Sequence, residues 1–420
     1  MNAVWPETAS VEQGELTIGG IASSALAEEF GTPLVVYDEE TILSAARAYR
    51  TAAPDALALY SVKAFPSVAV LRLLAAEGFG ADVSSLGELA FAQRAGVAGE
   101  RIVFHGNNKS DEELRGAAEA GVRFVVLDAL DEVQRAAAAR LSRALVRVTP
   151  GIEADTHEAI RTAHHGSKFG LPPDQALEAV TAAREAGIDV AGLHLHIGSQ
   201  LLDPRAGLES IDWLGEYAAR ARDELGWVPS VVDLGGGLGI PYLEGDPAPA
   251  IPEFVESLLG RLKHAWPGDP PEVILEPGRS LVGRAGLTLY RVGVVKRASE
   301  DVTYVAIDGG MSDNPRPQLY GARYTALLAN RADEEPAGTY DVCGKHCESG
   351  DVLIEGASLP EPGRGDLLAV PGTGAYTLAM GSNYNSVPRP AAVLVGRGKA
   401  SLIRRRETLD DLLRYEETTG

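Results

Sequence analysis

The chain has 420 residues, 45% of them apolar and 6% aromatic, enough for a barrel plus a second unit with an ordinary core. Its 59 acidic and 38 basic residues leave a net charge of −21, which excludes a nucleic-acid partner because no broad surface could neutralise phosphates. Two cysteines, Cys343 and Cys347, exclude a disulfide framework and suit a reducing cytoplasm, and no apolar run approaches the ~20 residues that cross a bilayer.

The first residues, Met1–Ser10, lack the basic-then-apolar pattern of a signal peptide. Two short β-like runs follow within residues 1–38, LTIGG and LVVYD, and are expected to add strands to a later β domain. From Leu57 to Leu281, eight short runs alternate with longer helical patterns: LALYSVKA, GADVSS, RIVFHG, VRFVVLDA, ALVRVTPG, VAGLHLHIG, VVDLGGGLG and EVILEPGRS. Several are nearly continuous apolar segments, as strands covered on both faces should be. Ala-, Glu- and Arg-rich stretches such as SVAVLRLLAAEG and SDEELRGAAEAG lie between them, and Ser85 with Glu88 predicts a capping box after the second run.

Eight such units predict an α/β TIM (β/α)8 barrel over residues 39–285, with a doubly wound open sheet as the alternative. Beyond it, LTLYRVGVVKRA, VTYVAIDGG, VLIEGASL, DLLAVPG and AAVLVGRG are separated by Gly/Pro turns. They predict a C-terminal β-sandwich or β-barrel-like domain over residues 286–420, ending in a short amphipathic helix around Thr408 to Arg414.

Active sites of such barrels form at the C-terminal ends of the strands. That edge carries Lys63, Asp82, His105, Asp128, Arg147, His196, the Gly235–Gly237 run and Glu276. Taken singly, each has a plain explanation. Lys63 is either a snorkelling lysine or a desolvated Schiff-base nucleophile. The glycine run after the seventh strand is a tight turn or a phosphate cradle. Glu276, ending the eighth strand, needs a cationic partner, either Arg279 or a protonated pyridine nitrogen.

In HLHIGSQ, His196 can stack flat on a ring while Ser199 donates to a phosphate. A metal is the rival reading of the His194/His196 pair, although nothing nearby in the sequence obviously completes a ligand set. The loop CGKHCESGD sets Cys347 among Lys345, His346 and Glu348, either as an ordinary loop thiol or as a proton donor.

Taken together, the segments YSVKA, HGNNKS, SKFG, HLHIGSQ, DLGGGLG, EPGR, DGGMSDNPRPQLYGA, GKHCESGD and GAYTLAMGSNYNSVPRP resemble the fold-type III decarboxylases that use pyridoxal 5'-phosphate (PLP). They run in order from residue 60 to about 390, over nearly the whole chain. The resemblance implies a PLP-binding barrel and decarboxylation of meso-2,6-diaminopimelate to L-lysine and CO2, the last step of lysine biosynthesis. It implies a Schiff base on Lys63, a stacking role for His196 and a proton from Cys347. Asp82, Ser199, Gly235, Gly236, Gly237, Glu276, Gly278, Arg279 and Tyr376 would hold the cofactor. Arg279, Arg316, Tyr320, Glu348 and Tyr376 would read the substrate.

The resemblance also implies a homodimer whose active site is shared across the interface. A departure stands beside Lys63, where Phe65 replaces an asparagine common among relatives. The rivals are a PLP enzyme for ornithine, arginine or a carboxypolyamine, an amino-acid racemase, and a non-catalytic PLP carrier or inactive relative. Related racemases set an arginine, not a glutamate, against the pyridine nitrogen. The carriers lack a β domain.

Overall fold

The computed structural model describes residues 1–150, 167–196, 198–247 and 249–417. The chain divides into two units, one of Leu43–Gly239 with Pro247–Ser280, the other of Met1–Ile42, Ile240–Asp246 and Leu281–Gly420.

In the first unit the eight apolar runs become eight parallel strands: β1 Leu57–Ser61, β2 Gly80–Val83, β3 Ile102–Phe104, β4 Phe124–Leu127, β5 Arg143–Arg147, β6 Asp189–His194, β7 Val231–Asp233 and β8 Glu272–Leu275. They close into a barrel, with β8 pairing back to β1 through Ile274 with Leu57 and Leu275 with Ala58. Leu57, Leu59, Val103, Phe124, Val126, Leu145, Ala191, Val231 and Ile274 form its core cluster, at alternate positions along the strands. Alternation of this kind packs a barrel interior with branched side chains.

Helices cover the outside, and their buried residues recur at helical spacing. In Arg205–Leu225 these are Gly207, Ser210, Ile211, Leu214, Gly215, Tyr217, Ala218 and Ala221. Ser110 caps Asp111–Glu119 in a full capping box with Glu113. The box expected at Ser85 forms only by half. Ser85 Oγ accepts the Glu88 N–H, but the Glu88 carboxylate takes the N–H and hydroxyl of Ser84, one residue earlier.

The second unit is built on β9, Gly286–Arg297, a 12-residue strand. Its first half is buried and pairs with Leu34–Asp38 and with Leu367–Pro371, and its second half pairs with Thr303–Ile307. Nine strands join in this sheet. Leu367 and Ala369 pack into one core with Leu34, Val36 and Val393, while Leu368 and Val370 pack into another with Tyr290 and Val305. A strand buried on both faces accounts for the unbroken apolar run.

Of the two N-terminal runs, LVVYD joins this sheet as Leu34–Asp38, whereas LTIGG contributes Glu15–Ile18 to a separate three-stranded sheet. Strands Gly338–Cys343 and Lys399–Arg404 escape a reading by apolar runs because most of their residues are not buried. The short segment Ile240–Asp246 belongs with this unit, since Ile240 and Tyr242 share the Tyr290 core. Leu409–Leu413 forms the terminal helix, capped by Thr408 and Asp411.

Candidate active site

The mouth of the barrel continues its interior by one step of the strand period. Two residues beyond Leu59, Val103, Val126, Leu145, Val231 and Ile274 stand Ser61, His105, Asp128, Arg147, Asp233 and Glu276, all buried. Register brings Ser61 opposite Asp82, and His194 between Arg147 and Asp233. The apolar packing of the barrel thus ends in a ring of polar groups, five of the six titratable.

Glu276 is the hub. His105 Nε2 lies 2.6 Å from Glu276 Oε1 and His194 Nε2 lies 3.5 Å from Oε2. Arg279, the partner that sequence spacing offers, sends its Nη2 instead to Ser199 Oγ at 2.8 Å. Burial would raise the Glu276 carboxyl, but the His105 and His194 rings outweigh it and hold Glu276 well below the usual carboxylate range. Burial, reinforced by the charge of Glu276, pushes Asp233 well above that range. Two carboxyls side by side are therefore driven in opposite directions, Glu276 down and Asp233 up. Burial lowers His194 to about 4. Burial and the nearby charges of Lys63 and Arg147 lower His196 well below its ordinary value, so both rings are neutral at pH 7.

His105, His194, Asp233 and Glu276 bring their ligand atoms within 4.8 Å of one another. The expectation that nothing near His194 could complete a ligand set is thus corrected, because strand register supplies three groups that sequence spacing hides. The His105–Glu276 separation is nevertheless that of a shared proton, since ligands around a tetrahedral zinc sit roughly 3.4 Å apart.

Lys63 follows β1 in a short turn, Val62–Ala64, whose other two residues are buried. Its side chain is 48% exposed and its Nζ lies 3.4 Å from Asp82 Oδ2. Asp82 in turn accepts the Ser61 hydroxyl at 2.6 Å, and that hydroxyl also lies 3.0 Å from the Glu276 carbonyl oxygen. Ser61 therefore ties the lysine side of the mouth to the glutamate side.

The glycine run fits where no side chain could. Gly235 has φ +64, and a Cβ there would lie 2.7 Å from His196 Nδ1. A Cβ on Gly236 would overlap the Glu276 carbonyl oxygen, and one on Gly237 would lie 2.7 Å from the Gly198 carbonyl oxygen. The ends of β6, β7 and β8 close up as a result, leaving backbone that an anion can approach. Gly278 is buried just beyond. Of the HLHIGSQ motif, Ile197 lies outside the described residues.

These groups fit PLP. An ionised buried carboxylate suits a pyridinium, a neutral imidazole suits the ring face, a glycine cradle with Ser199 and Arg279 suits a phosphate, and Lys63 supplies the amine.

The remaining candidates stand on the second unit. Arg316 is buried, with Nη1 2.6 Å from the Tyr324 hydroxyl and its guanidinium 4.6 Å from the Tyr242 ring centre. Its Nε is buried without a hydrogen-bond partner, and no carboxylate pairs with it among the described residues. Tyr320 is partly buried, its hydroxyl 3.9 Å from Met380 Sδ. Cys347 and Glu348 are exposed on their loop, where the Cys347 N–H donates to Asn385 Oδ1 at 2.9 Å. Tyr376 has φ +59, a left-handed conformation that is an outlier for so bulky a residue and a common mark of a functional position.

Sequence reasoning missed Asp233, Tyr242 and Tyr324. Extending the interior alternation of β7 by two residues would have found Asp233; nothing local marks the tyrosines.

Residues 39–283 match the family model described as pyridoxal-dependent decarboxylase, pyridoxal binding domain. A diaminopimelate decarboxylase from Actinosynnema pretiosum subsp. auranticum is 44% identical, over 98% of this chain and 95% of its own. The crystal structure of diaminopimelate decarboxylase from M. jannaschii in complex with L-lysine superposes with a TM-score of 0.91 at 34% identity, covering 98% of each chain. A lysine/ornithine decarboxylase from Vibrio vulnificus, complexed with putrescine, gives 0.78 at 27% identity over 89% of this chain and 97% of its own.

Proposed function

This chain belongs to the pyridoxal-dependent decarboxylases, and from that premise we infer that it removes CO2 from meso-2,6-diaminopimelate to leave L-lysine, the last step of lysine biosynthesis. The observation that carries the reading is Glu276: a buried carboxylate held well below the usual range just beyond β8 in the polar barrel mouth.

When bound, PLP supplies an electron sink for the pair left behind by the departing carboxylate. Glu276 would pair with the ring nitrogen and favour its protonated form, and His105 fixes the carboxylate that would do so. His196 would cover one ring face as a neutral imidazole. Gly235, Gly236, Gly237, Gly278, Ser199 and Arg279 hold the phosphate, with Tyr376 also contacting cofactor and substrate. Lys63 would hold the cofactor through its Nζ, which Asp82 orients.

Arg316 supports the choice of substrate. A guanidinium buried without a carboxylate costs several kcal/mol, roughly 3–5, unless something anionic pairs with it. The distal carboxylate of diaminopimelate would do so, and ornithine has none. Glu348 takes the distal ammonium, and Arg279, Tyr320 and Tyr376 complete recognition. The Cys347 thiol protonates the α-carbon, reaching the site of the partner subunit in a homodimer. Two free cysteines and the absence, among the described residues, of any helix long and apolar enough to cross a membrane support a cytoplasmic location.

The test is decarboxylation of diaminopimelate and ornithine side by side. Release of CO2 from diaminopimelate, with L-lysine as product, is expected; preference for ornithine would sink the assignment.

A further inference from the structure

We propose that Asp351 is a positioning residue, locking the loop that bears Cys347 and Glu348 to the turn that leads into Arg316. The proposal rests on the substrate reading above and extends it to what ties the two segments bearing those groups together within one chain.

The two segments leave the sheet side by side. Thr303–Ile307 and Gly338–Cys343 are parallel neighbours, with Ala306 opposite Cys343, so both chains exit at the same end. From there the Lys345 N–H donates to the Gly309 carbonyl at 3.0 Å. Asp351 is buried, and each of its carboxylate oxygens takes a backbone N–H from a different segment. Oδ1 accepts from Met311 at 2.7 Å and Oδ2 from His346 at 3.0 Å. Its backbone closes the Cys347 loop itself, with the Gly344 N–H donating to the Asp351 carbonyl at 2.8 Å and the Asp351 N–H to Glu348 O at 3.1 Å.

The space around the carboxylate is reserved on both sides. A Cβ on Gly310 would lie 2.6 Å from Asp351 Oδ2, and one on Gly344 would overlap the same atom. Gln318, two residues beyond Arg316, adds a second brace through its Nε2, which donates to the carbonyls of Gly350 at 2.9 Å and Val352 at 3.0 Å. A carboxylate can accept one N–H at each oxygen, but a carboxamide presents an amide nitrogen that accepts none. Asp351→Asn therefore breaks one of the two links while keeping the shape of the side chain.

The test compares the holoenzyme with Asp351→Asn, Gln318→Ala, Arg316→Lys and the Asp351→Asn/Arg316→Lys pair. Amide hydrogen exchange is followed in peptides covering residues 309–316 and 344–351, beside kcat and KM for diaminopimelate. In Asp351→Asn, exchange should quicken in both segments together by about ten-fold, the factor expected when one hydrogen bond is lost. Gln318→Ala should produce the same paired response to a smaller degree.

KM should rise and kcat fall together in Asp351→Asn, because both the carboxylate reader and the proton donor are displaced. Added to Arg316→Lys, the substitution should raise KM no further, as expected of a residue that acts through Arg316. Faster exchange in one segment alone, a loss of active protein with unchanged KM, or multiplying KM effects would each overturn the proposal. If Arg316→Lys leaves KM at the wild-type value, it is the substrate reading that fails, and the paired exchange then decides the clamp by itself.

Discussion

In the barrel unit the chemical groups are placed by strand register, whereas in the second unit they are placed by hydrogen bonds between loops. Ser61, His105, Asp233 and Glu276 need no special device, since each follows from the alternation that already buries Leu59, Val103, Val231 and Ile274, and Asp82 is paired opposite Ser61. Cys347, Glu348 and Arg316 have no such rail. Their positions depend on Asp351, Gln318, Asn385 and Tyr324, each far from its partner in sequence or hidden in a loop. A site built on register should respond to substitution through its charge balance, and one built on loops through its order.

The largest effect is expected at the hub of the barrel. Glu276→Gln keeps the shape but not the charge, and should lower kcat by roughly 10²–10³ with the fold retained, measured by turnover beside circular dichroism. Gly236→Ala attacks the register itself. The added methyl overlaps the Glu276 carbonyl, and forcing the strands apart should cost about 1–3 kcal/mol in denaturant unfolding.

His105→Gln tests the charge balance by pH. Burial raises the Glu276 carboxyl and His105 is the foremost group opposing it, so loss of the ring lets that carboxyl rise. The acid limb of kcat/KM should then move to higher pH. Stability follows the same sign. The depressed Glu276 contributes above the ordinary carboxylate value of about 4.3, and the contribution is lost as pH falls through its lower folded value. Asp233 has the opposite sign, being raised by burial and so opposing folding as pH climbs past about 3.9. Asp233→Asn should accordingly leave the pH 7 melting temperature unchanged or higher, while Glu276→Gln lowers it.

The smallest effect is expected in the second unit. Asn385→Ala removes the acceptor for the Cys347 N–H, and with about 1 kcal/mol of local order lost, turnover should fall several-fold with cofactor affinity unchanged. A large loss of cofactor in that variant would blur the distinction between the two regions.

The same contrast decides what could be read from the chain alone. All eight barrel strands were legible because a buried parallel strand writes itself as a short apolar run, and Glu276 was legible as a carboxylate where such a run stops. The partner of Glu276 was not. Arg279 is three residues away and His105 is 171, and only closure of the barrel puts the latter 2.6 Å off. The strand Gly338–Cys343 was hidden because only one of its residues is fully buried. Arg316 was named by resemblance, but its burial between Tyr242 and Tyr324 depends on Ile240–Asp246 packing into a core that no run of that segment announces.

Everything proposed for the barrel mouth converges on one amine. Reduction of the holoenzyme with borohydride, followed by peptide mapping, reads that amine directly. The expected result is a single pyridoxyl adduct, on Lys63. An adduct on any other lysine, with Lys63 unmodified, would contradict the account.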